Sequence, residues 1–175
     1  HHMLERLRAT QPGVLAGVDP EFLHQFRIAL RQSRAITEAI CTTTGDEHLK
    51  KALHPLKTMA RHTSIVRDLD VFLVELEARA MEDRRLRQSL RASGAEVFFR
   101  QWQTECHQQL CSQLEGKAWR KALATWETVV TGKTLSRPLK KLTTSAIHNT
   151  VSERAALCQQ LFARLTPDAP DERFH

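Results

Sequence analysis

The apolar residues of this chain recur at helical spacing along most of its length, and this periodicity limits the fold more than any other feature. Spacings of three and four residues place side chains on one face of a helix, whereas strands show strict alternation. Turn-forming residues interrupt the pattern at positions 42–45, 93–94 and 132. The connections are short, so consecutive helices are expected to pack antiparallel. The sequence therefore predicts an all-α fold, an antiparallel bundle of about five long helices with a basic groove.

The five predicted helices span about residues 20–40, 46–62, 65–93, 95–130 and 138–165, with a break in the fourth at Gly116. The first follows Asp19-Pro20, a capping residue and a proline suited to the first helical position. Pro55 predicts either a kink in the second helix or a helix that begins there. The core is expected to contain Trp102, Trp119 and Trp126. The fifth helix is expected to bury the face formed by Leu142, Ala146, Val151, Ala155, Cys158, Phe162 and Leu165.

The ends of the chain differ from this helical body. Residues 1–3, His1-His2-Met3, are interpreted as the remnant of an expression tag. Residues 4–18 are expected to form an N-terminal lead-in, and residues 19–165 the helical bundle. Residues 166–175 are rich in proline and acidic residues. They are interpreted as a linker into a second half that this sequence lacks.

The chain carries 26 lysine and arginine residues against 20 acidic residues, a net charge of +6. This balance favours an anionic partner. No apolar stretch has the length that a membrane-spanning helix needs. The four cysteines form no CxxC pair and no secretory signal precedes them, which favours a cytoplasmic protein that does not contact membranes. No metal or other cofactor is predicted, because the spacing of Cys106, His107 and Cys111 does not converge on one tetrahedral metal.

Four cationic residues share one face of the first predicted helix. At about 100° per residue they lie within an arc of about 80°, and they are His24, Arg27, Arg31 and Arg34. The opposite side of the helix is apolar, with Phe22, Phe26, Leu30 and Ile40. Like charges at these spacings repel each other, and a bound polyanion would remove that cost because guanidinium groups grip phosphate oxygens in a bidentate manner. By spacing alone, polyanion binding and an ordinary solvated face remain two open interpretations.

The second predicted helix repeats this arrangement. Its basic residues lie within an arc of about 60°, and they are Lys50, His54, Lys57 and Arg61. Arg67, at the start of the third predicted helix, is a further candidate contact. We expect these residues to line one basic surface with the face of the first helix.

These motifs resemble those of the CHAD family, the conserved histidine α-helical domain. The HxxRxxxRxxR helix of that family corresponds here to His24, Arg27, Arg31 and Arg34. Its LK helix corresponds to Leu56-Lys57, and its RDxDV segment to Arg67-Asp68-Leu69-Asp70-Val71. The three motifs occur in order between residues 24 and 71, and the rest of the chain is similar only in helical character and length.

The resemblance implies two helical bundles around a central basic pore that binds inorganic polyphosphate, and for some members localisation to polyphosphate granules. It implies binding roles for His24, Arg27, Arg31, Arg34, Lys57 and Arg67. Three further candidates, Lys50, His54 and Arg61, come from the helical wheel alone. Residues 170–175 are similar to the approach to a second HxxR helix, so this chain is expected to hold one half of the pore. Either a longer chain or a second copy, in a homodimer, would then supply the other wall.

We therefore predict a module that binds inorganic polyphosphate, or similar polyanions, and is not an enzyme. One alternative is a nucleic-acid-binding helical protein, which the lack of a recognition-helix pattern and of aromatic residues interleaved with the basic ridges disfavours. Another is the accessory domain of a triphosphate- or polyphosphate-processing enzyme. Catalysis by this chain would need acidic metal ligands near the ridges, and only Asp68 and Asp70 qualify.

Overall fold

The protein is described by a computed structural model that covers residues 1–132 and 135–163, with the backbone alone at position 137. The described part contains eight helices and no strand, so the predicted all-α bundle is confirmed. The helices are α1 (His2–Ala16), α2 (Pro20–Thr44), α3 (Glu47–Glu82), α4 (Arg84–Ser93), α5 (Ala95–Glu115), α6 (Lys117–Thr131), α7 (Ser136–Lys140) and α8 (Thr144–Ala163). The break predicted at Gly116 separates α5 from α6.

Local sequence signals determine both ends of α2. The Asp19 carboxylate accepts a hydrogen bond from the backbone N–H of Glu21 at 2.7 Å, and Pro20 occupies the first turn, where no backbone donor is needed. Gly45 ends the helix with φ 66°, a left-handed conformation that glycine adopts without steric cost. Asp46 then caps α3 by accepting from the backbone N–H of Leu49 at 2.9 Å.

Helix α3 is continuous over 36 residues, so the predicted division near residues 62–64 is wrong. The helix also begins eight residues before Pro55 and runs through it. Thr63 and Ser64 lie at the predicted division, and their hydroxyl groups donate hydrogen bonds to the carbonyl of Ala60 within the continuous helix. Apolar side chains on both sides of this point are buried, and their packing outweighs the local preference for a break. They are Leu53, Leu56, Met59, Val66 and Leu69.

The first 16 residues contribute a helix that the sequence analysis did not predict. Leu4, Leu7 and Val14 of α1 belong to the main hydrophobic core. Pro12 and Gly13 lie inside α1 and weaken its sequence signal, and the Phe22 ring packs where a side chain at Gly13 would stand. A bidentate ion pair joins α1 to α6, with the two Arg8 Nη atoms 2.8 and 2.7 Å from the carboxylate oxygens of Glu127. The predicted domain boundaries remain predictions.

The core forms where α1, α2, α3, α5 and α6 meet. Phe26 is fully buried, and its ring centroid lies 6.1 Å from that of Trp119. The prediction that Trp119 and Trp126 belong to the core is confirmed. The same prediction for Trp102 is wrong, because 42% of this residue is exposed on α5. Phe22 is also 37% exposed rather than buried on the apolar side of α2.

Helix α8 does not bury the face that its periodicity predicted. Val151, Ala155, Cys158 and Phe162 are exposed, while Leu142 and Ala146 are half-buried; Leu165 and the predicted linker lie outside the described residues. The helix contacts α2 through its first half, where the hydroxyl oxygens of Thr150 and Thr43 are 3.2 Å apart. Periodicity identifies an apolar face, but it does not show that another element covers that face.

Candidate functional site

Helices α2 and α3 run antiparallel and enclose a groove of about 380 Å³. Their register follows from an ion pair near one end, where Glu38 of α2 meets Lys57 of α3. His24, fourteen residues earlier on α2, and Val71, fourteen residues later on α3, therefore mark the other end. The groove is lined by His24, Arg27, Ile28, Arg31 and Arg34 from α2 and by Ala60, Ser64, Arg67 and Val71 from α3.

Five of the nine predicted binding residues meet in this groove. All four residues of the first cationic face line it, and Arg67 joins them from α3. From His24 to Arg34 the helix rises about 15 Å, so the guanidinium groups follow the groove as a row. The groove is open to solvent along this row.

Arg27 is the arginine of this row with the strongest electrostatic perturbation. Burial lowers the pKa of Arg27, nearby Arg67 and Arg31 lower it further, and Asp68 opposes this effect. The guanidinium group of arginine remains protonated in proteins at neutral pH, so Arg27 still carries its charge. A cation that is partly buried among other cations has lost part of its hydration, so a bound anion would stabilise its charged form.

Two buried nitrogen atoms of the arginine row have no hydrogen-bond partner within the described part of the chain. They are Nη1 of Arg27 and Nε of Arg34. A buried donor without an acceptor costs about 1–3 kcal/mol, so folded proteins seldom keep one without a use. Phosphate oxygens are acceptors of the geometry that guanidinium groups bind best.

The basic residues of the second predicted helix do not line the groove. Lys50, His54 and Arg61 are exposed on α3, about 40–140° around the helix from the groove-lining residues at 100° per residue. Lys50 lies 3.1 Å from the Glu47 carboxylate. Lys57, the fourth residue of this set, lies nearest to the groove on the helical wheel, but its Nζ is 2.7 Å from Glu38 Oε1. Roles for these four residues in binding remain predictions.

Three features of the groove were missed by the sequence analysis. Ala60, Ser64 and Val71 line the α3 wall beside the predicted Arg67; with Arg67 they are spaced i, i+4, i+7 and i+11, and this spacing was the available signal for the wall. The small residues Ala60 and Ser64 leave room between the helices. The pairing of Glu38 with Lys57 depends on the register between two helices, which spacing within one helix does not reveal.

The acidic residues considered as metal ligands lie in different environments. Asp68 is exposed and near enough to Arg27 to affect its charge, in mid-helix rather than at the predicted N-terminal turn. Asp70 is buried, and its carboxylate accepts a hydrogen bond from the Gln103 side chain at 2.5 Å. Within residues 1–132 and 135–163, no three His, Cys, Asp or Glu side chains are grouped so that they could hold a metal ion.

A cysteine and a histidine on α5 also come together. The Cys111 sulfur is 3.8 Å from the His107 ring, and His107 Nε2 is 2.8 Å from the carbonyl oxygen of Val14. Burial raises the pKa of Cys111. The thiol is therefore less ionised at neutral pH than an ordinary cysteine, which is the opposite of nucleophile activation.

Comparison with known proteins gives one match. The family model described as CHAD domain matches residues 1–175, the whole chain. Searches of curated proteins and of solved structures found no match. None of the helices that the structure describes is both long enough and apolar enough to cross a membrane.

Proposed function

The chain belongs to the CHAD domain family, and from the α2–α3 groove we propose that it binds inorganic polyphosphate or similar linear polyanions. CHAD domains are associated with polyphosphate- and triphosphate-related proteins. The observation that carries the proposal is the row of groove arginines with buried, unpaired donors at Arg27 Nη1 and Arg34 Nε. A chain of phosphate groups would supply both the acceptors and the negative charge.

The proposed ligand contacts are ordered by their place in the groove. Arg27, Arg31, Arg34 and Arg67 act as the primary cationic contacts, and His24 adds a ring donor at the end of the groove near Val71. Lys50, His54, Lys57 and Arg61 on the outer side of α3 extend the positive field over a polymer longer than the groove. Glu38 weakens the contribution of Lys57 by pairing with it.

We propose a binding module rather than an enzyme, acting in the cytoplasm and at polyphosphate granules. Of the nine described residues that line the groove, five are basic and none is acidic, and Asp68 acts on the charge of Arg27 from nearby. Phosphoryl transfer would need a metal held by oxygen ligands beside the phosphates. The domain could equally serve a triphosphate- or polyphosphate-processing enzyme by holding its substrate.

The ligand class is tested by direct competition. Affinities for long-chain polyphosphate, single-stranded DNA and pyrophosphate are measured by calorimetry at physiological salt. Polyphosphate should bind most tightly, because both polymers release counterions but the groove offers no base-stacking surface along the arginine row. Equal affinity for DNA would favour the nucleic-acid alternative, and slow release of inorganic phosphate from the polymer would favour an enzyme.

The site itself is tested by a double substitution, Arg27→Ala with Arg31→Ala. Each charged hydrogen-bonding group contributes about 1.5–3 kcal/mol, so affinity should fall by at least about 100-fold. A matched control is Arg91→Ala with Arg120→Ala, which removes the same charge from exposed positions on α4 and α6. If both double variants lose affinity equally, the ligand responds to net charge and the groove is not the site.

A further inference from the structure

Two exposed apolar surfaces accompany the groove, and the first is an aromatic patch on α3 and α5. It consists of Phe72, Phe98, Phe99 and Trp102. The Phe72 and Phe99 ring centroids are 4.8 Å apart, and Phe98 and Trp102 pack on Phe99. Phe98 is 63% exposed and Trp102 is 42% exposed. Clustered rings that remain open to water are typical of an interaction surface.

The second surface is the apolar face of α8. Ile147, Val151, Leu157, Leu161 and Phe162 lie within an arc of about 140° on the helical wheel, and all are between 45% and 75% exposed. One charged residue, Arg154, lies inside this arc, and its guanidinium reaches only the edge of α2, 3.5 Å from the Thr42 hydroxyl.

These two surfaces lie at opposite ends of the groove. The aromatic patch begins at Phe72, directly after Val71, which lines the groove at its His24 end. Helix α8 meets α2 at Thr42 and Thr43, beyond Arg34 at the other end. Thr42 follows His24 by 18 residues, five full turns, so it points to the same side of α2 as the groove.

We propose that a second copy of this chain covers the groove, seating its α8 face on the aromatic patch, with a polyanion between the two arginine rows. This inference rests on the proposed function. Helix α8 packs on α2 and the aromatic patch lies on α3 and α5, so a twofold axis that runs obliquely across the groove would exchange both its ends and its flanks and place each α8 face over the aromatic patch of the other copy. The two surfaces are also complementary in charge. The α8 face of the second copy carries Arg154, and Asp68 and Glu75 are exposed on α3 beside the aromatic patch.

Dimer formation requires the anion. Each chain has a net charge of +6, and closure places the arginine rows of two copies opposite each other. Their repulsion opposes the apolar contact until phosphate groups neutralise both rows. The partner copy then contributes a second row of guanidinium groups to the same ligand, which completes the coordination that one copy provides on one side only.

The test uses the 175-residue chain and tripolyphosphate, which is too short to bridge two proteins that do not touch. Light scattering should give the monomer mass without ligand and twice that mass with it, while calorimetry records binding. Phe162→Glu on α8 and Phe98→Glu on α5 should each keep the groove and bind tripolyphosphate as monomers. Gln160→Glu and Gln108→Glu place the same charge elsewhere on these two helices and should dimerise like the original chain.

Mixing the two monomeric variants gives the sharpest result. In a mixed pair the unmodified α8 face meets the unmodified aromatic patch once, so a fraction of the mixture should recover the dimer mass. The inference is overturned if the original chain binds tripolyphosphate and stays monomeric, if either phenylalanine variant dimerises normally, or if the mixture stays monomeric. Absence of tripolyphosphate and polyphosphate binding by calorimetry would instead remove the proposed function, and this inference with it.

Discussion

Arg27→Met should make the protein more stable while it weakens polyanion binding. Methionine keeps an unbranched apolar side chain of similar reach, so the packing between α2 and α3 is retained. The substitution removes a guanidinium whose Nη1 is buried without a partner and whose pKa is lowered by burial and by neighbouring cations. Stability and binding should therefore change in opposite directions.

The magnitudes follow from the environment of Arg27. Removing an unsatisfied buried donor should stabilise the fold by about 1–3 kcal/mol. Losing the attraction between Arg27 and exposed Asp68 should destabilise it by about 1 kcal/mol. Relief of repulsion from Arg31 and Arg67 adds a smaller gain. A net gain of about 1 kcal/mol raises the Tm of a domain of this size by about 2–4 °C. Loss of one charge-assisted contact should weaken polyphosphate binding by about 10–150-fold.

Thermal unfolding followed by circular dichroism, together with calorimetric titration of polyphosphate, measures both effects. Arg120→Met is the control, because it makes the same chemical change at an exposed position on α6. It should leave Tm almost unchanged and reduce affinity only slightly. A Tm for Arg27→Met below that of Arg120→Met would show that the Arg27 guanidinium stabilises the fold and that its Nη1 is not an unpaired donor.

Three further predictions concern charge and cysteine chemistry. Glu38→Gln removes the ion-pair partner of Lys57 near one end of the groove. A gain of about 1 kcal/mol in binding free energy would tighten polyphosphate binding by up to about fivefold, and an unchanged affinity in calorimetry would place Lys57 outside the site. Burial raises the pKa of Cys111, so iodoacetamide at pH 8 should alkylate exposed Cys158 first by peptide mass spectrometry, and equal rates would contradict this. Arg8 lowers the pKa of Glu127 on α6 through their hydrogen bond. The resulting stabilisation is fully present above the ordinary glutamate pKa and is lost as the pH falls through the lowered pKa of the folded protein. The Tm deficit of Arg8→Ala should therefore shrink in acid, and a constant deficit would contradict a stabilising role for this ion pair.

Much of α2 could be predicted from sequence, because its determinants are local. The Asp19 cap, Gly45 and the two faces of the helix all follow from residue type and spacing. The family motifs added Arg67, which the structure places on the facing wall of the same groove. Half of the site was therefore accessible as a pattern on one helix.

The errors share a physical origin in tertiary packing. Pro55 carries a local signal for a kink and a helix division was predicted near residues 62–64, yet the buried residues around these positions hold α3 continuous. Helix α1 was missed because Pro12 and Gly13 obscure its periodicity. The exposure of Phe162 and Trp102 depends on which elements cover them, and no local pattern contains that information.

Both walls of the groove are the interiors of long helices rather than loops. The backbone positions of the arginine row are consequently set before any ligand arrives, by the backbone hydrogen bonds within α2 and within α3. Binding then restricts only side-chain rotations, which cost about 0.5–1.5 kcal/mol for each immobilised group. Such preorganisation would keep the distances along the arginine row constant, so the proposed polyanion would be recognised by the spacing of its charges at a small cost in conformational entropy.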